Sequence, residues 1–244
     1  MPIHELVILA IVLIFSSMVQ GITGFGISLV AFPLLALFIS PSIIVPTLVL
    51  VSVIINIMVF RSARGAVNFR EIRVMLLFAV IATPFGAYLI KTLSSDALSI
   101  VAGILISGTS LMLMSGKHVS FRNENFAKSI TGFLSGTLNG SLSMSGPPII
   151  LFMSNEGKNK NEIRGNFSLY SMLINICTVV SYFFADMLTM DVMQSFAFAL
   201  PAILLGTALG IRISGKVNEK LFKRIVLIFL LLMGINTLAF AILG

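Results

Sequence analysis

Long apolar runs dominate the chain, and clusters of glycine and small polar residues break them at two places. Six runs are each long enough for one membrane-spanning helix of about 20 residues: roughly 42–60, 74–91, 97–115, 166–185, 192–211 and 225–243. Two stretches do not fit that pattern. Residues 5–39 as one helix would measure about 52 Å, and Gly21-Ile22-Thr23-Gly24-Phe25-Gly26 interrupts them. Residues 128–154 are interrupted by Asn139-Gly140-Ser141-Leu142-Ser143-Met144-Ser145-Gly146-Pro147-Pro148, leaving pieces of roughly 12 and 7 residues, each too short to cross. Both stretches are expected to form broken helical hairpins, with a short helix starting near Ile27 in one and near Pro147 in the other.

Composition turns this pattern into a class. Hydrophobic residues make up 57% of the 244, charged residues 10%, and mean hydropathy is +1.07. A soluble domain carries roughly 25% charged residues to cover its surface. Soluble enzymes, disordered chains and cytosolic binding modules are therefore excluded, and an all-α polytopic protein in a lipid bilayer is expected. The net charge of +7 does not point to nucleic acid. The loops 61–73, 116–128, 155–165 and 212–224 hold 15 of the 16 basic residues, so no single face carries a basic stripe. By the positive-inside rule these loops are cytoplasmic and the protein is multi-pass in the cell membrane. Residues 128–154 must then return to the side they left. Met1-Pro2-Ile3-His4-Glu5 lacks the basic start of a cleavable signal peptide, so the apolar start is expected to stay. Cys177, the only cysteine, excludes an internal disulfide and reads as a small buried hydrophobe.

The second half repeats the first at an offset of 119 residues: Gln20-Gly21 with Asn139-Gly140, Gly24 with Ser143, Gly26 with Ser145, and Ser52 to Ile57 with Ser171 to Ile176. A later piece matches at an offset of 124, pairing Gly86 with Gly210. An offset of 115 would instead align Gly21 with Gly136 and Pro33 with Pro148. Each half becomes one hairpin plus three crossings, and an odd number of crossings inverts the second copy. The expected architecture is two inverted repeats, residues 1–115 and 128–244, joined by a cytoplasmic linker at 116–127. Inverted repeats with discontinuous helices are common in secondary transporters. By analogy the first hairpin enters from the outside.

Gly21-x-x-Gly24-x-Gly26-x6-Pro33 resembles the glycine-rich first motif of the sulfite exporter TauE/SafE family. Gly136-x3-Gly140-x5-Gly146-Pro147-Pro148 resembles the second motif, and Ile163-Arg164-Gly165 resembles the family's next segment. The resemblance covers nearly the whole chain. One departure stands out: Ser143 and Ser145 occupy places where the family more often has glycine. The resemblance implies transport of sulfite, sulfonates and related organosulfur anions.

The residues suggest how such an anion could be held. The first N–H groups of a helix have no partner within it, and the helix dipole places partial positive charge there. Two such ends converging at the breaks would form an anion site without a formal charge. The candidate binding residues are Gln20, Gly21, Thr23, Gly24, Gly26, Ser28, Asn56, Asn139, Gly140, Ser141, Ser143, Ser145, Gly146 and Asn175. For several of them an ordinary structural role competes: helix packing for the glycines, inter-helix amide bonds for Asn56 and Asn175, capping for Gln20 and Asn139. Arg164 is a candidate for the cytoplasmic mouth, or a residue that sets topology at a helix start. Tyr170 reads as packing, and Gly103, Ser107, Gly206 and Gly210 as helix contacts. The middles of the expected spans carry no Asp, Glu, Lys, Arg or His, so the carboxylate relay of a proton pump is not expected. No cofactor or metal is expected either, since His4 and His118 flank the membrane. Ser143, Ser145 and Gly146 superficially suggest a serine nucleophile, but no embedded histidine could serve as its base. An anion channel of the same architecture and a non-transporting membrane scaffold are the rival readings. H+ or Na+ is the coupling ion to consider, and the sequence sets no oligomeric state.

Overall fold

The computed structural model describes residues 3–115, 123–216 and 218–243. Ten α-helices account for almost all of them: α1 Ile3–Thr23, α2 Ile27–Leu35, α3 Pro41–Ala63, α4 Phe69–Thr92, α5 Ser95–Ser115, α6 Glu124–Leu142, α7 Gly146–Asn155, α8 Lys160–Phe184, α9 Met190–Ile213 and α10 Glu219–Leu243. A single 3-10 turn at Arg64–Ala66 follows α3. Among the described residues there is no strand. The second five helices repeat the first five in order: long, short, long, long, long.

Seven helices are long and apolar enough to cross a membrane: the six expected spans and His4–Thr23. That seventh corrects the expectation for residues 5–39. The long arm of the first hairpin has spanning length, and only α2, with 9 residues, is short. The second hairpin also departs from expectation. Its arms are 19 and 10 residues, not about 12 and 7, because α6 begins four residues before Lys128. Asn123 caps its start by accepting the N–H of Phe126 at 3.1 Å. Lys128 is tolerated within the helix, 9% exposed, because it pairs with Glu124 one turn earlier.

Small residues let the helices approach backbone to backbone. Gly132, Gly136 and Gly140 of α6 face Met75, Ala79 and Thr83 of α4 in step, so the two helices run in the same direction. Gly206 and Gly210 of α9 meet Ile14 and Met18 of α1 in the same parallel manner. A Cβ added at Gly21 would lie 2.8 Å from the Thr207 carbonyl oxygen and 2.9 Å from Gly210 Cα. One added at Gly140 would lie 2.8 Å from Ala87 N and 2.9 Å from Gly86 C. Gly103 and Ser107 of α5 both meet Gly234 of α10. In a bilayer, where apolar burial between helices contributes little, such close packing is the main cohesive term. Gly103, Ser107, Gly206 and Gly210 therefore act as the helix contacts expected of them.

Polar contacts order the ends of the bundle. Lys158 pairs with Glu71 at 2.8 Å, Asn166 donates to Glu71 at 3.1 Å, and Lys160 Nζ donates to the Ser214 carbonyl at 3.2 Å. These bonds gather the basic loops 61–73, 155–165 and 212–224 at one end of the molecule. Of the fourth loop, residues 116–122, with Lys117, His118 and Arg122, lie outside the described residues. At the opposite end Lys91 donates to the Ala185 carbonyl at 2.8 Å. Helices α4 and α8 thus run away from the basic end, and α9 runs back towards it.

Candidate functional site

Each break is a short unwinding between a long helix and a short one, and local chemistry dictates both. At the first, Gly24 and Gly26 take φ of +92° and +104°, a left-handed conformation that costs glycine little and other residues more. Thr23 donates its hydroxyl to Phe25 O at 2.6 Å and accepts the Phe25 N–H at 3.3 Å. At the second break Ser143 is left-handed at φ +58°. Its N–H bonds Asn139 O and the Met144 N–H bonds Leu138 O, which closes the end of α6. Proline at the second and third positions of α7 loses nothing there, because helix-start N–H groups lack partners in any case.

A carbonyl near each break receives a donor from α8, at opposite ends of that helix. The Arg164 guanidinium donates to Gly21 O at 2.9 Å and also reaches Ser214 Oγ at 3.3 Å and Ser62 Oγ at 3.4 Å. Tyr182 donates its hydroxyl to Gly140 O at 2.6 Å. Arg164 is only 6% exposed, and its side-chain carbons lie against Gly24 so closely that any Cβ there would collide. From the start of α8 it clamps the negative end of α1, where a cation is favoured by the helix dipole.

A matched pair of amides supports the breaks. Gln20 donates to Asn56 Oδ1 at 3.0 Å, and Asn139 donates to Asn175 Oδ1 at 2.9 Å. Asn56 and Asn175 both donate to Ser171 Oγ at 3.1 Å, so one hydroxyl joins the two halves. The remaining oxygen of Gln20 accepts the Ile27 N–H at 3.1 Å. Gln20 therefore caps α2, and one of its two amide hydrogens goes to Asn56. The amide oxygen of Asn139 is buried without a partner among the described residues.

Between the breaks lies a cavity of about 20 Å3, room for about one water molecule. The starts of α2 and α7 border it, and no charged side chain does. Among the expected residues, Gln20, Gly26, Ser28, Asn56, Ser143, Ser145, Gly146 and Asn175 line it. Ser28 donates to Ser143 Oγ at 3.1 Å, and Ser145 lies 3.4 Å from Ser171 Oγ, so hydroxyls close the space across the two breaks.

The other expected residues stand elsewhere. Gly21 and Gly140 are packed against α9 and α4, Gly24 against Arg164. Ser141 donates to Thr137 O within its own helix, and Asn139 is fully buried behind the lining. A larger residue at Gly140 would therefore test helix packing, not ligand contact. Thr23 lines a second, larger cavity of about 340 Å3, which meets the small one at Gly26 and has Lys158 and Lys160 among its lining residues.

Two polar lining residues were not among the candidates: Ser52 and Ser171. Both stood in the 119-residue repeat beside Asn56 and Asn175, and that match was the signal available. Ser52 is 4% exposed. Tyr170 is a packing residue as expected; its hydroxyl donates to Ser135, which in turn donates to Ser145 O.

A polytopic helical membrane protein with paired broken helices and an uncharged polar cavity between them has the organisation of a transporter. The family model of the sulfite exporter TauE/SafE matches residues 8–237, and the chain belongs to that family of membrane transporters. No curated protein and no solved structure matches the chain.

Proposed function

We propose that the protein carries small oxyanions, sulfite and organic sulfonates among them, across the cell membrane by alternating access. The anion sits between the two breaks, facing the N-termini of α2 and α7 and the hydroxyls of Ser28, Ser52, Ser143, Ser145 and Ser171. The observation carrying this reading is that uncharged cavity, bordered by two helix starts at once. Dipoles and hydroxyls hold an anion without a fixed countercharge, which allows release as readily as capture.

Residues 1–115 and 128–244 act as two inverted repeats around the site. The opposed directions of α4 and α9, and the placement of the Gly21 and Gly140 carbonyls at opposite ends of α8, support the inversion. The basic loops face the cytoplasm, as the positive-inside rule requires. The larger cavity has its two lysines on that side, and the hydroxyl contacts close the way beyond Gly26. That closure favours a carrier over a channel, because a channel needs a continuous path. At about 20 Å3, the site must widen to admit an anion, and the Ser28–Ser143 bond is the contact that must part.

Labelled sulfite flux into proteoliposomes tests the reading. Flux that saturates and is accelerated by unlabelled sulfite on the far side is expected. Linear, non-saturating flux would indicate a channel, and no flux of any sulfur oxyanion would overturn the reading.

A further inference from the structure

The two adjoining cavities differ in chemistry as much as in size. The small one is walled by serines and amides. The larger one, about 340 Å3, falls within the range of small-molecule sites, and most of its wall is aliphatic. Val19 of α1, Val30 of α2, Ile150 of α7, and Val226 and Leu230 of α10 contribute to it. An inorganic oxyanion gains nothing from such a wall, since it loses hydration and finds no donor there. Lys158 and Lys160 also line this cavity. Each is hydrogen-bonded, to Glu71 and to Ser214 O respectively. The two cavities meet at Gly26, where an added Cβ would find nothing within 4 Å.

We propose that the preferred substrate is an amphiphilic organic monoanion: its charged head enters the serine-lined cavity past Gly26, and its apolar body lies in the larger chamber, where Val30, Ile150 and Leu230 read its length. The inference rests on the head site proposed above and adds the chemistry of the rest of the molecule. Affinity should rise with each buried methylene, by about fourfold at the usual transfer free energy, until the chamber is filled.

The test is inhibition of labelled sulfite flux by straight-chain alkanesulfonates from methane- to hexanesulfonate, with hexanol as an uncharged control and labelled hexanesulfonate flux measured in parallel. The half-inhibiting concentration should fall about fourfold per methylene over the first few members, and hexanesulfonate should itself be carried. Ile150→Phe, which fills the chamber, should compress the ratio between hexane- and methanesulfonate at least about tenfold. Leu230→Asn, which makes the wall polar, should compress it in the same sense if the first variant does not fold. A flat series with normal sulfite flux would overturn the proposal and leave the sulfite carrier standing. Hexanol inhibiting as well as hexanesulfonate would also overturn it, marking the chamber as a place for lipid tails. Absence of flux for sulfite and every sulfonate would remove the head site, and this proposal with it.

Discussion

At the first break Gln20 reaches round to the N–H of Ile27, whereas at the second Asn139, one methylene shorter, leaves its oxygen without a partner among the described residues. The carbonyl beside the first break takes a guanidinium, the one beside the second a phenol. The first adjoins the larger chamber, while both pack tightly, against α9 and α4 respectively. Matching positions in two halves have thus been given different partners, and the difference lies in the ends of side chains more than in the course of the backbone.

The largest effect is expected from removing the clamp on the first break. Arg164→Ala strips charged hydrogen bonds from Gly21 O, Ser62 and Ser214, each worth roughly 1.5–3 kcal/mol when the acceptors stay buried. The thermal midpoint in detergent should fall by about 10 °C or more, and transport should be lost. Arg164→Lys should recover little of either, because one ammonium cannot span the three acceptors. An unchanged midpoint would contradict the clamp.

Ser171→Ala comes next. It removes the only acceptor recorded for the Asn175 amide hydrogen and one of two for that of Asn56, a loss of about 1–3 kcal/mol. It should therefore lower stability and transport together. Gln20→Asn would make the first break resemble the second. It should leave the Ile27 N–H without an acceptor and lower stability by about 1 kcal/mol. Equal stability of the variant and the wild type would show that the extra methylene plays no part.

The smallest expected effect lies at the basic end. Burial, and the nearby carboxylates of Glu124 and Glu71, push the Glu156 carboxyl above its ordinary value of 4.5, with Lys128 and Lys158 opposing. A carboxyl whose folded pKa is raised makes the fold less stable as pH rises through that range. Glu156→Gln should therefore raise the thermal midpoint slightly at neutral pH, and the gain should vanish below pH 4.5. A gain that persisted in acid would assign it to packing.

Much of this was legible in the sequence, for identifiable reasons. The spans follow from apolar runs, and the starts of α2 and α7 follow from glycine and proline beside them. The amide pairs were visible as Gln20, Asn56, Asn139 and Asn175 at matched offsets. What could not be read was direction. The position of Arg164 at a helix start suits a mouth residue or one that sets topology, and nothing in the sequence shows that its side chain turns inward to a carbonyl more than a hundred positions earlier in the chain. Gly21 and Gly140 carried the family motif but face other helices, since periodicity locates a residue on a helix without naming the neighbour. The length of α6 was underestimated because Lys128 reads as an end unless its partner Glu124 is seen.

The central claim is that the anion is held between the breaks by hydroxyls and helix starts. Ser52 is the best probe. Its hydroxyl lines the cavity and no hydrogen bond from it to the protein is recorded among the described residues, so Ser52→Ala should spare stability. The decisive measurement is labelled sulfite counterflow by wild type, Ser52→Ala and Ser95→Ala, the last an exposed serine at the start of α5, each with its thermal midpoint. Ser52→Ala should lose about tenfold or more in apparent affinity, as for a hydrogen bond to a charged group, with an unchanged midpoint, while Ser95→Ala behaves as wild type. Normal counterflow by Ser52→Ala would place the anion elsewhere.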